Sequence, residues 1–217
     1  MPTATLRRPK RAPAAAAPDR PPPLSPDSLH RFTLAEYQRM IDIGVLGEKD
    51  RCHLLNGVIR NKMPQNTPHL STGAKLAKRL QRMLPDDFLL LTDKPVQFPN
   101  SESEPEPDFF VTAGPDTRFD RVKPVAADVL LVIEVSDTSL ASDRGEMLGI
   151  YAGGKIAEYW IVNLVDNIVE VYTKPRGGRT PTYRARTDYA VGESVPVVLG
   201  GAQLGSIAVA DILPGGN

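Results

Sequence analysis

Residues 128–135 read Asp-Val-Leu-Leu-Val-Ile-Glu-Val, and this stretch decides the fold because it is apolar at six of eight positions. A run of this kind is typical of a central strand that is covered on both faces. Glu134 is the exception within it, since a carboxylate in an apolar strand is costly to bury unless it binds a cation or a hydrogen-bond donor. The stretch predicts a layered fold around a buried sheet and makes Glu134 a candidate site residue.

A second acid, Asp108, follows Pro107 and opens the short apolar run 108–112. If the two strands are neighbours across loop 113–127, the carboxylates of Asp108 and Glu134 converge on one point. Mg²⁺ is bound by one or two carboxylates together with waters and a substrate phosphate oxygen. The alternative on spacing alone is an Asp that starts a strand and a Glu that pairs with Arg or Lys.

Helices and strands surround this run in an order that predicts an α+β (mixed α/β) fold. Thr33 and Glu36 have the spacing of a capping box, and Asn56-Gly57 between two short apolar runs is a hairpin signal. The predicted elements are a helix after Thr33, a hairpin at 53–59, helices over 69–84 and 142–152, and strands over 88–98, 108–112, 128–135, 158–164, 168–173, 183–186, 194–198 and 203–209.

Composition excludes several classes of protein. The 26 basic and 26 acidic residues cancel, so binding of nucleic acid by bulk charge is excluded. The single cysteine, Cys52, cannot form an intrachain disulfide, and with only three histidines the usual Cys/His zinc cluster is excluded. No apolar run approaches the length of a membrane span, and no signal peptide is visible. We therefore expect a soluble, cytoplasmic protein with no membrane partner.

Two segments carry a local excess of positive charge. Residues 1–30 hold eight prolines and six alanines, so we predict a disordered basic tail, or an arm that touches nucleic acid, followed by one folded domain over 31–217. The second segment is a stripe on the helix over 69–84. It is either a solvated face or a nucleic-acid-binding surface, and its residues are Lys75, Lys78, Arg79 and Arg82.

A series of short motifs runs along the chain between residues 50 and 162. The motifs are Asp50-Arg51, Leu54-Leu55-Asn56-Gly57, Pro68-His69, Glu106-Pro107-Asp108, Glu134-Val135-Ser136, Asp143-Arg144-Gly145-Glu146 and Glu158-Tyr159-Trp160-Ile161-Val162. In order and spacing they resemble the Uma2 (Uma-two) family of restriction-endonuclease-like proteins, in the PD-(D/E)XK nuclease superfamily, and the resemblance covers roughly residues 30–213. It implies a restriction-endonuclease-like core, a mixed sheet flanked by helices, and a Mg²⁺- or Mn²⁺-dependent DNA endonuclease. It also implies that Asp108 and Glu134 are the two motif acids and that the backbone carbonyl of Val135 is a further metal ligand.

The chain departs from the family pattern at the positions of a lysine and a glutamate. Met147 stands where the family has a lysine, and Ser136 occupies the usual lysine position of the superfamily. His53 stands where the family has a glutamate. The lysine would activate the attacking water and stabilise charge on the phosphate, so we expect weak catalysis. Lys155 replaces it only if the turn at residues 153–154 folds it back.

Four further side chains have competing interpretations. His53 is a catalytic base, a metal ligand, or a residue that fills the space of the glutamate. His69 is interpreted as a structural residue that caps or contacts the second helix, and Cys52 as a small half-buried residue rather than a nucleophile. Asp143 is interpreted as the N-cap of the third helix.

Three functions remain open on these grounds. The first is a metal-dependent DNA endonuclease, active or weakened. The second is an inactive descendant that binds nucleic acid or a partner protein. The third is a metal-dependent hydrolase of another phosphoester. Because cutting both strands of DNA calls for two active sites, a homodimer fits the first.

Overall fold

The computed structural model describes residues 29–215, so the predicted tail over 1–30 lies almost entirely outside the described residues. The helices are α1 (Leu34–Asp42), α2 (Thr67–Met83), α3 (Leu140–Ser142) and α4 (Leu148–Gly153). The strands are β1 (Cys52–Leu55), β2 (Val58–Asn61), β3 (Phe88–Thr92), β4 (Phe109–Ala113), β5 (Val129–Ser136), β6 (Glu158–Asn163), β7 (Ile168–Arg176), β8 (Thr182–Ala190), β9 (Ser194–Leu199) and β10 (Ala202–Ala208).

Six strands form one mixed sheet in the order β3-β4-β5-β6-β7-β8. Only β5 and β6 run parallel within it, and the segment from α3 to α4 makes the crossover between them. The β1–β2 and β9–β10 hairpins lie outside this sheet. The predicted α+β class is therefore confirmed. Within residues 29–215, no helix is both long and apolar enough to cross a membrane.

Both faces of the sheet are covered, as the apolar run in β5 predicts. Leu131, Ile133 and Val135 point into one core, which α2, the β9–β10 hairpin and the chain after it complete. Val129 and Val132 point into the opposite core, which contains residues of α4. Because side chains alternate along a strand, Glu134 belongs to the same face as Val132.

The first helix and the hairpin form as their local signals predict. The Thr33 side chain accepts from the Glu36 backbone N–H, and the Glu36 carboxylate accepts from the Thr33 N–H. Asn56 and Gly57 both have positive φ and join β1 to β2. Helix α2 starts two residues earlier than predicted, because the Asn66 side chain caps it by accepting from the His69 N–H.

The third helical segment differs from the prediction in a way that matters for the site. It begins at Leu140 and continues through a π-helical turn, Asp143–Met147, into α4. Asp143 therefore lies inside the segment, and the prediction that it is the N-cap is wrong. π-turns within helices are rare and frequently occur at functional sites.

Candidate active site

Strand register brings the two candidate acids together. Phe109 pairs with Ile133 in the antiparallel ladder between β4 and β5, so Asp108 stands directly before β4 and opposite Glu134. The Asp108 backbone N–H donates to Glu134 Oε2 at 3.1 Å. Asp108 has the same parity along its strand as Phe110, which packs on the face of Val132. Both carboxylates therefore lie on one face of the sheet.

Glu134 is held rigidly in a nearly dry position. The residue is only 8% exposed, and its Oε1 accepts a hydrogen bond from the Tyr151 hydroxyl at 2.6 Å. Burial raises the pKa of Glu134 well above its usual value, and the negative charges of Asp108 and Asp143 raise it further. The two hydrogen bonds to its carboxylate oppose that rise only in part. A cation beside this carboxylate would relieve the repulsion.

Backbone geometry fixes Asp108 and directs the Val135 carbonyl to the same place. The Val135 N–H donates to Asp108 Oδ2 at 2.7 Å. A strand residue directs its N–H and C=O to the same side, so the Val135 carbonyl faces the side of β5 on which Asp108 lies. Val135 itself lines the cleft described below.

Asp143 is a third carboxylate at this place. Its Oδ2 accepts from Ser136 Oγ at 2.6 Å and from Ser139 Oγ at 2.7 Å. Burial raises its pKa; these two bonds counter the rise, and the charge of Asp108 adds to it. Ser136, at the position where the resemblance implied a superfamily lysine, thus contributes a hydroxyl that holds an acid. Sequence reasoning missed this role, because the π-turn that turns Asp143 inward has no signature in the residue pattern.

His69 touches Asp108 directly, which the assignment of a merely structural role did not anticipate. It lies in the first turn of α2, and its Nε2 is 2.9 Å from Asp108 Oδ2. Burial lowers the pKa of His69, but the hydrogen bond to Asp108 and the charges of Asp108, Asp93 and Asp143 outweigh it, so the pKa is raised. Gln65 joins the cluster, since its Nε2 donates to Asp108 Oδ1 at 3.1 Å and to Asp93 Oδ1 at 3.3 Å.

These groups line one cleft of about 720 Å³. His53 lies on its wall from β1, but within residues 29–215 it forms no hydrogen bond with Asp108 or Glu134. Burial and the positive charges of Lys62 and Arg60 lower the pKa of His53 to about 4, so its imidazole is neutral at physiological pH. The residues lining the cleft are Glu48, Arg51, His53, Leu55, Arg60, Asn61, Lys62, Met63, Pro64, Gln65, Asn66, His69, Asp93, Glu106, Asp108, Glu134, Val135, Asp137, Thr138, Ser139, Ser142, Asp143 and Met147.

The structure separates Met147, which stands at the implied lysine position, from Lys155, which the sequence offered as a conditional replacement for that lysine. Met147 lines the cleft and is only 5% exposed, with the rest of its side chain in the apolar core below. Lys155 is exposed, has a left-handed φ of 62°, and is not among the cleft residues.

The basic stripe on α2 lies outside the cleft and partly contacts the end of the described chain. Lys75 Nζ donates to the Leu213 carbonyl at 2.8 Å, and Arg79 pairs with Asp211 at 3.1 Å. Lys78 is exposed, and Arg82 borders a second, shallow depression with Arg79.

The donor set fits a hard divalent ion, although the protein supplies only part of a coordination shell. No group of three or more His, Cys, Asp or Glu side chains among residues 29–215 is arranged to hold a metal ion. Mg²⁺ needs less, because it keeps several waters and is usually bound through one or two carboxylates and a substrate phosphate. Asp108, Glu134 and the Val135 carbonyl provide oxygen donors of this type.

Comparisons with known proteins agree with this architecture. Residues 34–208 match the Uma2 family, described as "Putative restriction endonuclease". The fold is similar to a crystal structure of a "putative nuclease belonging to DUF820" from Anabaena variabilis, with a TM-score of 0.59 and 15% identity over 83% of this chain and 97% of that chain. The search of curated proteins found no match. Since the matched region covers most of the sequence, the chain belongs to the Uma2 family.

Proposed function

We propose that the protein is a Mg²⁺- or Mn²⁺-dependent endonuclease that hydrolyses DNA phosphodiester bonds, with weakened activity. The observation that carries the proposal is that Asp108 and Glu134 are neighbours on one face of the sheet and line the same open cleft. The Asp108 backbone nitrogen is 3.1 Å from Glu134 Oε2. Membership of a family described as restriction endonucleases supports DNA as the substrate.

Each residue of the centre has a distinct role in this proposal. Asp108, Glu134 and the Val135 carbonyl would hold the ion, which when bound polarises the phosphoryl group and lowers the pKa of a bound water. Tyr151 orients Glu134 through the 2.6 Å bond to Oε1. His69 orients Asp108 through Oδ2. These partners keep the two acids in place before substrate arrives, and such preorganisation avoids a reorganisation cost during the reaction.

The position of Met147 is the reason to expect weak rather than full activity. A thioether on the cleft wall cannot donate a hydrogen bond or place positive charge on a phosphate. The same observation favours a second candidate function, that of an inactive descendant which binds nucleic acid or a partner protein. Hydrolysis of a phosphoester other than DNA is the third.

Nicking of a supercoiled plasmid separates these functions. Glu134→Gln should lower the nicking rate in Mg²⁺ by at least about 10²-fold, and calorimetry should show weaker Mn²⁺ binding. Its melting temperature should not fall, because the variant removes a buried negative charge that neighbouring acids repel. Glu193→Gln is the matched control, since it makes the same change on an exposed loop outside the cleft.

Two outcomes would contradict the proposal. Mn²⁺ binding by wild type without any nicking would favour the inactive descendant. Metal-dependent cleavage of a small phosphodiester with no action on plasmid would favour the third function. Light scattering of the purified protein tests the homodimer that cutting both strands would require.

A further inference from the structure

Three basic residues, Arg51, Arg60 and Lys62, line the cleft, and one of them can contact a phosphate from a position other than residue 147. We propose that Lys62 supplies the positive charge that contacts the DNA phosphate beside Asp108 and Glu134. This inference rests on the proposed nuclease function, and it assigns that function a residue from the β1–β2 hairpin rather than from the third helical segment.

The backbone of Lys62 is fixed while its ammonium remains reachable. Its N–H donates to the Arg51 carbonyl at 2.8 Å directly after β2, which anchors the residue to the hairpin. Its Nζ forms an ion pair with Glu106. The two side chains are 27% and 25% exposed, so the pair lies in the cleft wall and still faces solvent.

The ammonium has unused hydrogen-bonding capacity. A lysine carries three N–H donors, and within residues 29–215 Glu106 is the only side-chain partner of Lys62. Two donors are therefore free for a phosphate oxygen.

The neighbours of Lys62 link it to the site within the cleft wall that it lines. Glu106 precedes Asp108 by two residues, and Pro107 between them restricts the backbone, so the ion pair is tied to the metal-binding strand end. The positive charge of Lys62 also acts on two other cleft residues, His53 and Asp93. It lowers the pKa of both groups, although burial still raises that of Asp93 overall.

The other cations of the cleft are less suitable. Arg60 is engaged with Glu146 at 3.2 Å, and its side chain is 50% exposed. Arg51 is exposed and stands at a left-handed φ of 44°, where the chain turns into β1. Lys62 alone combines partial burial, a fixed backbone and a link to Asp108.

Lys62→Gln tests the inference by a binding measurement and a rate. The binding measurement is fluorescence anisotropy of a short DNA duplex in Ca²⁺, repeated over a range of salt concentrations. Loss of one phosphate contact should reduce the slope of log affinity against log salt by about 0.9. The Mg²⁺-dependent nicking rate should fall by about 10²-fold. Lys174→Gln, on the exposed end of β7, should change neither.

A further variant distinguishes phosphate contact from a merely structural ion pair. Glu106→Gln breaks the same pair but keeps the ammonium, so its salt slope should stay closer to wild type than that of Lys62→Gln. Equal defects in the two variants would overturn the inference, as would an active Lys62→Gln with an unchanged slope. Absence of both nicking and DNA binding in wild type would overturn the proposed nuclease function and the inference with it.

Discussion

Replacing Met147 with lysine adds to the cleft wall the cation that the family resemblance implies at this position, and it tests why activity should be weak. The side chain is 5% exposed and reaches both the cleft and the core containing Phe110 and Val132. A lysine there can keep its methylene stem in the core and direct its ammonium into the cleft. Two opposite charges about 5 Å apart attract by about 3 kcal/mol at an effective dielectric constant of 20. Attraction to Glu134 and Asp108 therefore offsets much of the several kcal/mol that desolvation costs.

The same change should raise activity and lower stability, and the two effects can be measured separately. A preorganised donor to developing charge is typically worth about 10²–10³-fold in rate. Loss of the buried thioether and methyl group should cost about 1–2 kcal/mol, or about 2–8 °C in melting temperature for a domain of this size. Plasmid nicking in Mg²⁺ measures the first effect, and thermal unfolding measures the second.

The matched control is Met147→Gln, which has similar length and loses the same apolar burial without adding charge. Met147→Lys should nick at least about 10²-fold faster than Met147→Gln at equal stability. Equal rates in the two variants, with both folded and binding Mn²⁺, would refute the argument that a missing cation at residue 147 limits catalysis.

Three further predictions concern stability. A Cβ on Gly154 would lie 2.5 Å from Phe98, whereas one on Gly145 would meet no atom within 4 Å. Urea unfolding should show that Gly154→Ala costs about 1–3 kcal/mol and that Gly145→Ala costs nothing; equal effects would contradict this packing. Burial raises the pKa of Glu158 to about 6, so its ionised form destabilises the fold above that pH. Glu158→Gln should therefore have a free energy of unfolding up to about 2 kcal/mol above that of wild type at pH 7.5, but little above it at pH 4.5. The pKa of His53 is lowered to about 4, so the free energy of unfolding of the wild type should fall by up to about 3 kcal/mol between pH 6.5 and pH 4, and that of His53→Gln should not. For either residue, a stability difference between variant and wild type that does not change with pH would contradict the assigned pKa.

The parts of the fold that the sequence predicts are those with a local or periodic signal. The apolar run in β5 predicts a strand covered on both faces, and Val132 and Ile133 do point into opposite cores. The two candidate acids stand out because Glu134 interrupts an apolar strand and Asp108 borders one. Their meeting needed one further assumption, that the two strands are neighbours, and the β4–β5 ladder satisfies it.

Other features of the candidate site depend on tertiary structure that no local pattern encodes. Asp143 reaches the cleft through a π-turn, and the helix before it starts two residues earlier than the sequence indicates. His69 meets Asp108 only because the first turn of α2 lies beside the start of β4. In the sequence, nothing distinguishes Lys62 from any polar residue that follows a strand, and only the folded hairpin places it beside Glu106.

The charge of the cleft links the binding of metal to the binding of DNA. Seven acids and three bases line it, so without a cation the cleft repels a phosphate backbone. An ion held by Asp108 and Glu134 removes part of that repulsion and offers a phosphate oxygen a ligand position, and by linkage bound DNA must then strengthen ion binding by the same factor. DNA affinity measured in Ca²⁺ should accordingly exceed that in metal-free buffer at equal ionic strength, and this difference should shrink in Glu134→Gln. Equal affinities under both conditions would place the DNA on another surface, for which the basic stripe on α2, with Lys78 exposed, is the alternative.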